Sequence, residues 1–274
     1  MSVFDRLKSS KRTNPPAIAI YGTPGVGKTS LAAEFPDPIY LFVEGEETPD
    51  GIDLPSDQIT SFHGLLDSFA DLLEQEHPFK TVIVDSLDKL EPMVWAATCA
   101  RNGWESIDSN DKGAPTAFGK GYLGADVEWE EYFEAVSALT RAGMYVVQIL
   151  HSETKSFNDP LVDAYDRYRP KLQKRAMEKV IENCKALLFI NRRTSVKQVE
   201  AAFGGKKTSK PEGMSGAERI IHTDERAGFF AKNRFKGAPA QIPYKQGQGF
   251  AELSKYLLTT AANDNDNAAA KQAA

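Results

Sequence analysis

Five short apolar runs recur along the chain, at 17–21 (AIAIY), 39–43 (IYLFV), 81–84 (TVIV), 145–150 (YVVQIL) and 186–190 (ALLFI). Each is bounded by glycine, proline or polar residues, and that pattern predicts buried strands. Between them the period changes. Phe62, Leu65, Leu66, Phe69, Leu72 and Leu73 repeat at helical spacing and predict a helix over 61–76. Helices are also predicted from Lys28 to Phe35 (stopped by Pro36 and Pro38), over 88–101, around Val127 to Leu139, over a basic segment at 170–184, and at 249–258. The Gly-, Ser-, Asn- and Asp-rich stretch 102–124 reads as a surface excursion. Short strands near 193–199 and 218–222 flank a Gly/Lys/Ser-rich loop at 203–217, and 228–236 reads as one more strand.

Buried strands alternating with helices imply an α/β fold: a mostly parallel, doubly wound sheet with helices on both faces. There is no internal repeat and no break that would divide it. The expected organisation is a flexible arm at 1–16, one domain over 17–258, and a low-complexity, disordered tail at 259–274 (TTAANDNDNAAAKQAA).

Composition narrows the class. Hydrophobic residues make up 41% and charged residues 26%, as in ordinary globular proteins. No apolar run approaches the roughly 18 residues that span a bilayer, and the start lacks the apolar core of a secretory signal. A cytoplasmic protein without a membrane partner is expected. Two cysteines, Cys99 and Cys184, are too few and too isolated for a disulfide framework or a zinc site. The net charge of −5 hides an asymmetry: 167–210 carries 13 Lys/Arg against 3 Asp/Glu, a net of +10.

The chemistry begins at Gly22-Thr23-Pro24-Gly25-Val26-Gly27-Lys28-Thr29, followed by Ser30. It fits G-x-x-x-x-G-K-[ST], the Walker A phosphate loop, and lies between a predicted strand and a predicted helix. Glycines let main-chain N–H groups turn toward phosphate oxygens, and the helix start adds its positive end. The pattern predicts ATP and Mg²⁺ as cofactors, with Lys28 on the β- and γ-phosphates and the Thr29 hydroxyl on the metal. Asp85 ends TVIVD, where an open α/β sheet places its ligands, and is the second metal candidate. Ser86 follows it where many AAA+ motors have glutamate, so a catalytic base is sought in YLFVEGEE, either Glu44 or Glu46, with Glu46 favoured. Gln148 and His151, at the end of the fourth apolar run, are candidate γ-phosphate sensors. Lys232 and Arg234 in FFAKNRF alternate on one strand face, either as charge-stabilising fingers for a neighbouring subunit's ATP or as a solvated strand edge.

Taken in order, these residues resemble the RecA-like ATPase core. The late HTDERAGFFAKNRF followed by Pro243 is similar to the ending of the phage-encoded AAA/RecA-like ATP-binding family related to Sak-type single-strand annealing proteins, although 238–243 is spaced unlike that family's usual short form. The resemblance covers roughly 17–245. It implies that Lys28, Thr29 and Asp85 handle ATP and Mg²⁺, that Glu46 activates water, and that Lys232 and Arg234 act across a ring or filament of identical subunits. It also implies work in DNA recombination on single-stranded DNA, with a phage or host replication or recombination protein as a further partner.

The basic stretch fits that partner independently. Arg167 and Arg169 lie beside Tyr165 and Tyr168; Lys171, Lys174, Arg175 and Lys179 are expected on one helix face; Lys206, Lys207 and Lys210 share a loop with Phe203. Cations neutralise phosphates and aromatics stack on bases. The alternative is a nucleotide-switched assembly factor for a protein partner, with hydrolysis incidental. A GTPase would show N-K-x-D, which the sequence lacks. A small-molecule kinase would need a lid, which 167–175 imitates.

Overall fold

The computed structural model describes residues 14–46, 50–158, 160, 163–193, 196–201, 205–211 and 218–257, with backbone only over 196–201 and 205–211. The expected arm, apart from its last three residues, and the expected tail lie outside them.

The parallel core of the sheet comes from the five apolar runs. β1 (Ala17–Gly22) pairs in parallel with β5 (Tyr145–Phe157) on one side and β7 (Ala186–Arg192) on the other. Beyond β5 follow β4 (Thr81–Asp85), β2 (Pro38–Val43) and β3 (Ser56–Ile59), all parallel. Beyond β7 the sheet turns antiparallel through β10 (Arg219–His222) to β12 (Gln241–Tyr244), and the two-residue β11 (Lys232–Asn233) also pairs with β7. All six residues of β1 are buried because both faces are covered. Its side chains alternate between two cores: Ala17, Ala19 and Tyr21 face one, Ile18 and Ile20 the other.

Helices fill the two layers. α1 (Lys28–Ala32) and α7 (Gly249–Leu257) bring Leu31, Leu253 and Leu257 to the second core. α2 (Phe62–Glu74), α3 (Leu87–Asn102), α5 (Asp126–Arg141) and α6 (Lys174–Asn183) cover the first, through Phe62, Leu65 and Phe69, then Leu90, Trp129, Tyr132 and Val180. The Ser61 hydroxyl accepts from Gly64 N at 3.0 Å and caps α2. The excursion at 102–124 holds one short helix, α4 (Lys120–Gly124).

The structure departs from the sequence reading where strands are polar. β3 (SDQI) has one buried residue, and β12 is an edge strand alternating exposed and buried with Pro243 on it. β5 does not stop at Leu150. Its second half leaves the sheet as an antiparallel ribbon with β6 (Tyr165–Pro170). β8 (Val196–Ala201) pairs with β9 (Gly205–Pro211), so much of the expected 203–217 loop is strand. The strand expected over 228–236 shrinks to β11. α6 starts at Lys174, which leaves Lys171 ahead of it rather than on its face. No helix among the described residues is long and apolar enough to cross a membrane.

Candidate nucleotide site

The phosphate loop opens at the carboxyl ends of the parallel strands, where Gly22 sits between His151 of β5 and Ile190 of β7. A Cβ on Gly22 would stand 2.3 Å from the Ile190 carbonyl oxygen, so only glycine lets β1 reach that point. Gly25 and Gly27 have φ of 70° and 98°, left-handed values that favour glycine. Val26 is buried and pins the loop from below, while Thr23, Pro24 and Gly25 are exposed.

Lys28 is 6% exposed and donates from Nζ to the carbonyls of Gly22 and Thr23, both at 3.3 Å. Burial lowers its pKa, while the carboxylates of Asp85, Asp88 and Glu46 pull it back up. The Thr29 hydroxyl donates to Asp85 Oδ2 at 2.8 Å, and the Tyr40 hydroxyl donates to the same oxygen at 3.0 Å. Asp85 is 5% exposed; burial raises its pKa, and the two hydroxyl donors work against that rise. A hydroxyl and a carboxylate 2.8 Å apart beside a lysine are hard oxygen donors, and they fit a Mg²⁺ bound with triphosphate. Ser30 follows Thr29 in α1 and is half-buried.

A second cluster stands beside this one. Ser86 Oγ donates to Glu46 Oε1 at 2.7 Å, and His151 Nδ1 lies 3.8 Å from that oxygen and 3.0 Å from Asp88 Oδ2. The His151 main-chain N–H also donates to Asp88, at 2.9 Å. Burial pushes the Asp88 carboxyl up, but the hydrogen bonds from His151 outweigh it and leave the pKa below the ordinary value. The hydrogen bond to Asp88 raises the His151 pKa against burial. Of the two acidic candidates, Glu46 is the one in this cluster; Glu44 is exposed. Tyr40 and Asp88 were not singled out from sequence. An aspartate three residues past the strand-end Asp85 was the available signal for one; strand order alone brings in the other.

Three placements correct the sequence reading. Gln148 is not at a strand end. It is fully buried inside β5, where its Oε1 accepts from the Tyr132 hydroxyl at 2.9 Å and its Nε2 donates to Cys184 Sγ at 3.0 Å, among the first core's side chains. Lys232 and Arg234 do not share a strand face: β11 ends at Asn233, and Arg234 lies beyond it and exposed. Lys232 Nζ donates to the carbonyls of Ile181 and Cys184, closing the end of its own α6. Lys232 lies opposite Leu187, about 10 Å along β7 from the Ile190 that flanks Gly22, and Arg234 N donates to the Lys185 carbonyl, further back still. They are therefore remote from their own phosphate loop.

The basic candidates are largely paired within the chain. Arg167 bonds Glu225 at 2.6 Å with its guanidinium 3.6 Å from the centre of the Phe157 ring. Arg169 bonds Glu153 at 2.8 Å, Arg175 pairs with Asp126, and Lys179 bonds Glu130 at 2.8 Å. Lys174 is 80% exposed and only 3.9 Å from Glu178. Lys171 and Lys89 have no ion pair among the described residues. They line one ≈ 670 Å³ groove with Trp95, Lys155, Arg169 and Lys174, which also holds the carboxylates of Asp88, Glu91 and Glu153. Lys206, Lys207 and Lys210 lie on β9, with side chains outside the described residues, as is Phe203.

A family model described as an AAA domain matches residues 14–235. The chain belongs to that AAA-domain family. Membership makes it a P-loop NTPase of the AAA type. Among solved structures, that of the RadB recombinase is similar at 13% identity and a TM-score of 0.46, over 86% of this chain and 90% of that one. No curated protein matches the chain.

Proposed function

We propose that this AAA-domain protein hydrolyses ATP with Mg²⁺ in DNA recombination, acting on single-stranded DNA as an assembly of identical subunits. The observation that carries the ATPase reading is the pairing of Thr29 with Asp85 beside the buried Lys28, a metal-and-phosphate donor set assembled from positions 56 residues apart. Lys28 exchanges the carbonyls of Gly22 and Thr23 for phosphate oxygens. The loop's N–H groups and the start of α1 orient the triphosphate. Thr29 and Asp85 would hold the metal, which would supply positive charge to offset that of the triphosphate. Glu46, fixed by Ser86, takes a proton from the attacking water, and His151, tied to Asp88, stands where loss of the γ-phosphate is felt at the root of the β5–β6 ribbon. Arg234 serves as the finger for a neighbouring subunit; Lys232 must first leave the end of α6 to share that role.

The DNA part of the reading is supported by the groove between α3 and that ribbon. Lys89 and Lys171 offer charge with no ion pair among the described residues, Lys155 and Lys174 lie alongside, and Trp95 offers ring surface. Origin in a phage, action in the host cytoplasm and likeness to Sak-type annealing proteins belong to this reading, as does a replication or recombination partner. Turnover of ATP measured with and without single-stranded DNA at two salt concentrations tests it. Stimulation that fades with salt is expected; no stimulation together with no salt-sensitive binding overturns it.

A second reading is a nucleotide-switched assembly factor with incidental hydrolysis. The observation favouring it is that Glu46 is already engaged by Ser86, a restraint on a base. Size measured with ATP on Glu46→Gln separates the two: full activity of that variant would make hydrolysis dispensable.

A further inference from the structure

The loop has one neighbour that neither metal nor γ-phosphate chemistry uses. Arg219 of β10 reaches across the sheet end until its Nη1 stands 2.7 Å from where a Cβ on Gly27 would be, directly ahead of Lys28. Beside it a ≈ 670 Å³ cavity opens, walled by Arg219, Tyr244, Gln246 and Gln248 with the carboxylates of Glu218 and Glu252 at its edge. That volume lies within the roughly 300–1,000 Å³ of small-molecule sites. Phosphate loop and cavity thus share one wall, the Arg219 guanidinium.

The cavity is built rather than incidental. Glu34, just past α1, accepts from the Tyr244 hydroxyl at 3.0 Å, from Gly247 N at 2.7 Å and from Phe250 N at 3.1 Å. Its second oxygen also accepts from Gly249 N. A Cβ on Gly249 would stand 2.3 Å from Leu31 Cδ1, so α7 begins flush against α1. The helix whose first residue is Lys28 therefore also fixes the turn that forms the cavity's outer wall. Inside, a planar cation lies 5.7 Å from the Tyr244 ring centre, with two glutamine amides nearby. Such a set suits a flat, hydrogen-bonding, π-rich group joined to a polyol.

We propose that this cavity receives the nucleoside end of the nucleotide, and that Arg219 stacks on the base and makes the loop prefer a nucleotide to a bare polyphosphate. The proposal rests on the ATP reading and adds the residue that sets ligand identity. Calorimetric titration with Mg²⁺ of ATP, GTP and inorganic tripolyphosphate into the full chain tests it. The unaltered chain should bind ATP roughly tenfold or more tighter than tripolyphosphate, the worth of a desolvated cation–π contact. Arg219→Ala and Arg219→Lys should both lose about that tenfold for ATP and change tripolyphosphate binding by less than about twofold, because an ammonium lacks the planar face. Gln248→Trp, which fills the cavity, should do the same. A parallel loss of tripolyphosphate, rescue of ATP binding by lysine, or unchanged ATP binding in all three variants overturns the proposal. Equal binding of ATP and tripolyphosphate by the unaltered chain sinks the cavity alone. Binding of neither sinks the ATP reading as well.

Discussion

At the carboxyl ends of β1, β4 and β5 the charged groups are buried or half-buried and each is held by a partner distant in sequence: Thr29 and Tyr40 on Asp85, Ser86 on Glu46, Asp88 on His151. The β5–β6 ribbon and α6 hold more charge, yet Arg167, Arg169, Arg175 and Lys179 each meet a carboxylate at or near the surface. The contrast teaches that charge counted along a chain differs from charge a ligand can reach. A net +10 stretch places much of its cation content in its own ion pairs, and exposed pairs of that kind are individually weak. The nucleotide end has few charges, but burial and mutual geometry make each one costly to remove.

The largest expected effect lies at the buried end. Lys28→Ala and Glu46→Gln should each lower ATP turnover by about 10²–10³-fold, measured by phosphate release. Lys28→Ala should also weaken ATP binding, whereas Glu46→Gln should leave it intact. Equal turnover in either variant would erase the distinction between the two regions. Next comes the surface. Lys89→Ala with Lys171→Ala should weaken single-stranded DNA binding about tenfold and reduce the salt slope by about 1.4, at roughly 0.7 per lost contact. Arg175→Ala with Lys179→Ala, which removes cations already paired with Asp126 and Glu130, should leave both quantities nearly unchanged. If the paired cations matter as much as the unpaired ones, counting along the chain was the better guide.

The smallest effect joins the regions. Glu91 is buried and accepts from Gln173 N at 2.9 Å; burial pushes its carboxyl up to about 7 from 4.5. The folded chain therefore holds this proton more tightly than the unfolded chain. That contribution to stability is full below pH 4.5 and is lost as pH rises through 7. Glu91→Gln should flatten the fall in melting temperature between pH 5 and 8 by about 2–4 °C, read by calorimetry. An unchanged slope would show that Glu91 does not titrate in that window.

The phosphate loop was legible because its chemistry is contiguous: eight residues carry the turns, the N–H groups, the lysine and the hydroxyl. Asp85 was legible because an apolar run ends on it. Tyr40 and Arg219 were not, since each reaches the site only through the order of strands β4-β2 and β7-β10. Gln148 misled because the apolar run stops at Leu150 while the strand continues to Phe157; a glutamine satisfied by Tyr132 and Cys184 looks, in sequence, like a polar end. β6 and β9 were missed for a related reason. A two-stranded ribbon outside the main sheet buries little, so its residues carry no apolar signature. That β1, β5, β4 and β2 are buried strands of a mostly parallel sheet was legible from their apolar runs, because strands covered on both faces have little other composition open to them; their order in the sheet was not.

The opening turns of α3 hold two anchors three residues apart, Asp88 gripping the His151 of β5 and Glu91 gripping the Gln173 at the head of α6. A helix is stiff over so short a span. α3 accordingly works as a tie-rod: a twist that frees the histidine also slackens the first turn of α6 and the lysines beside it. Hydrogen exchange at Gln173 should then report events at the phosphate end, although no atom of that residue belongs to it.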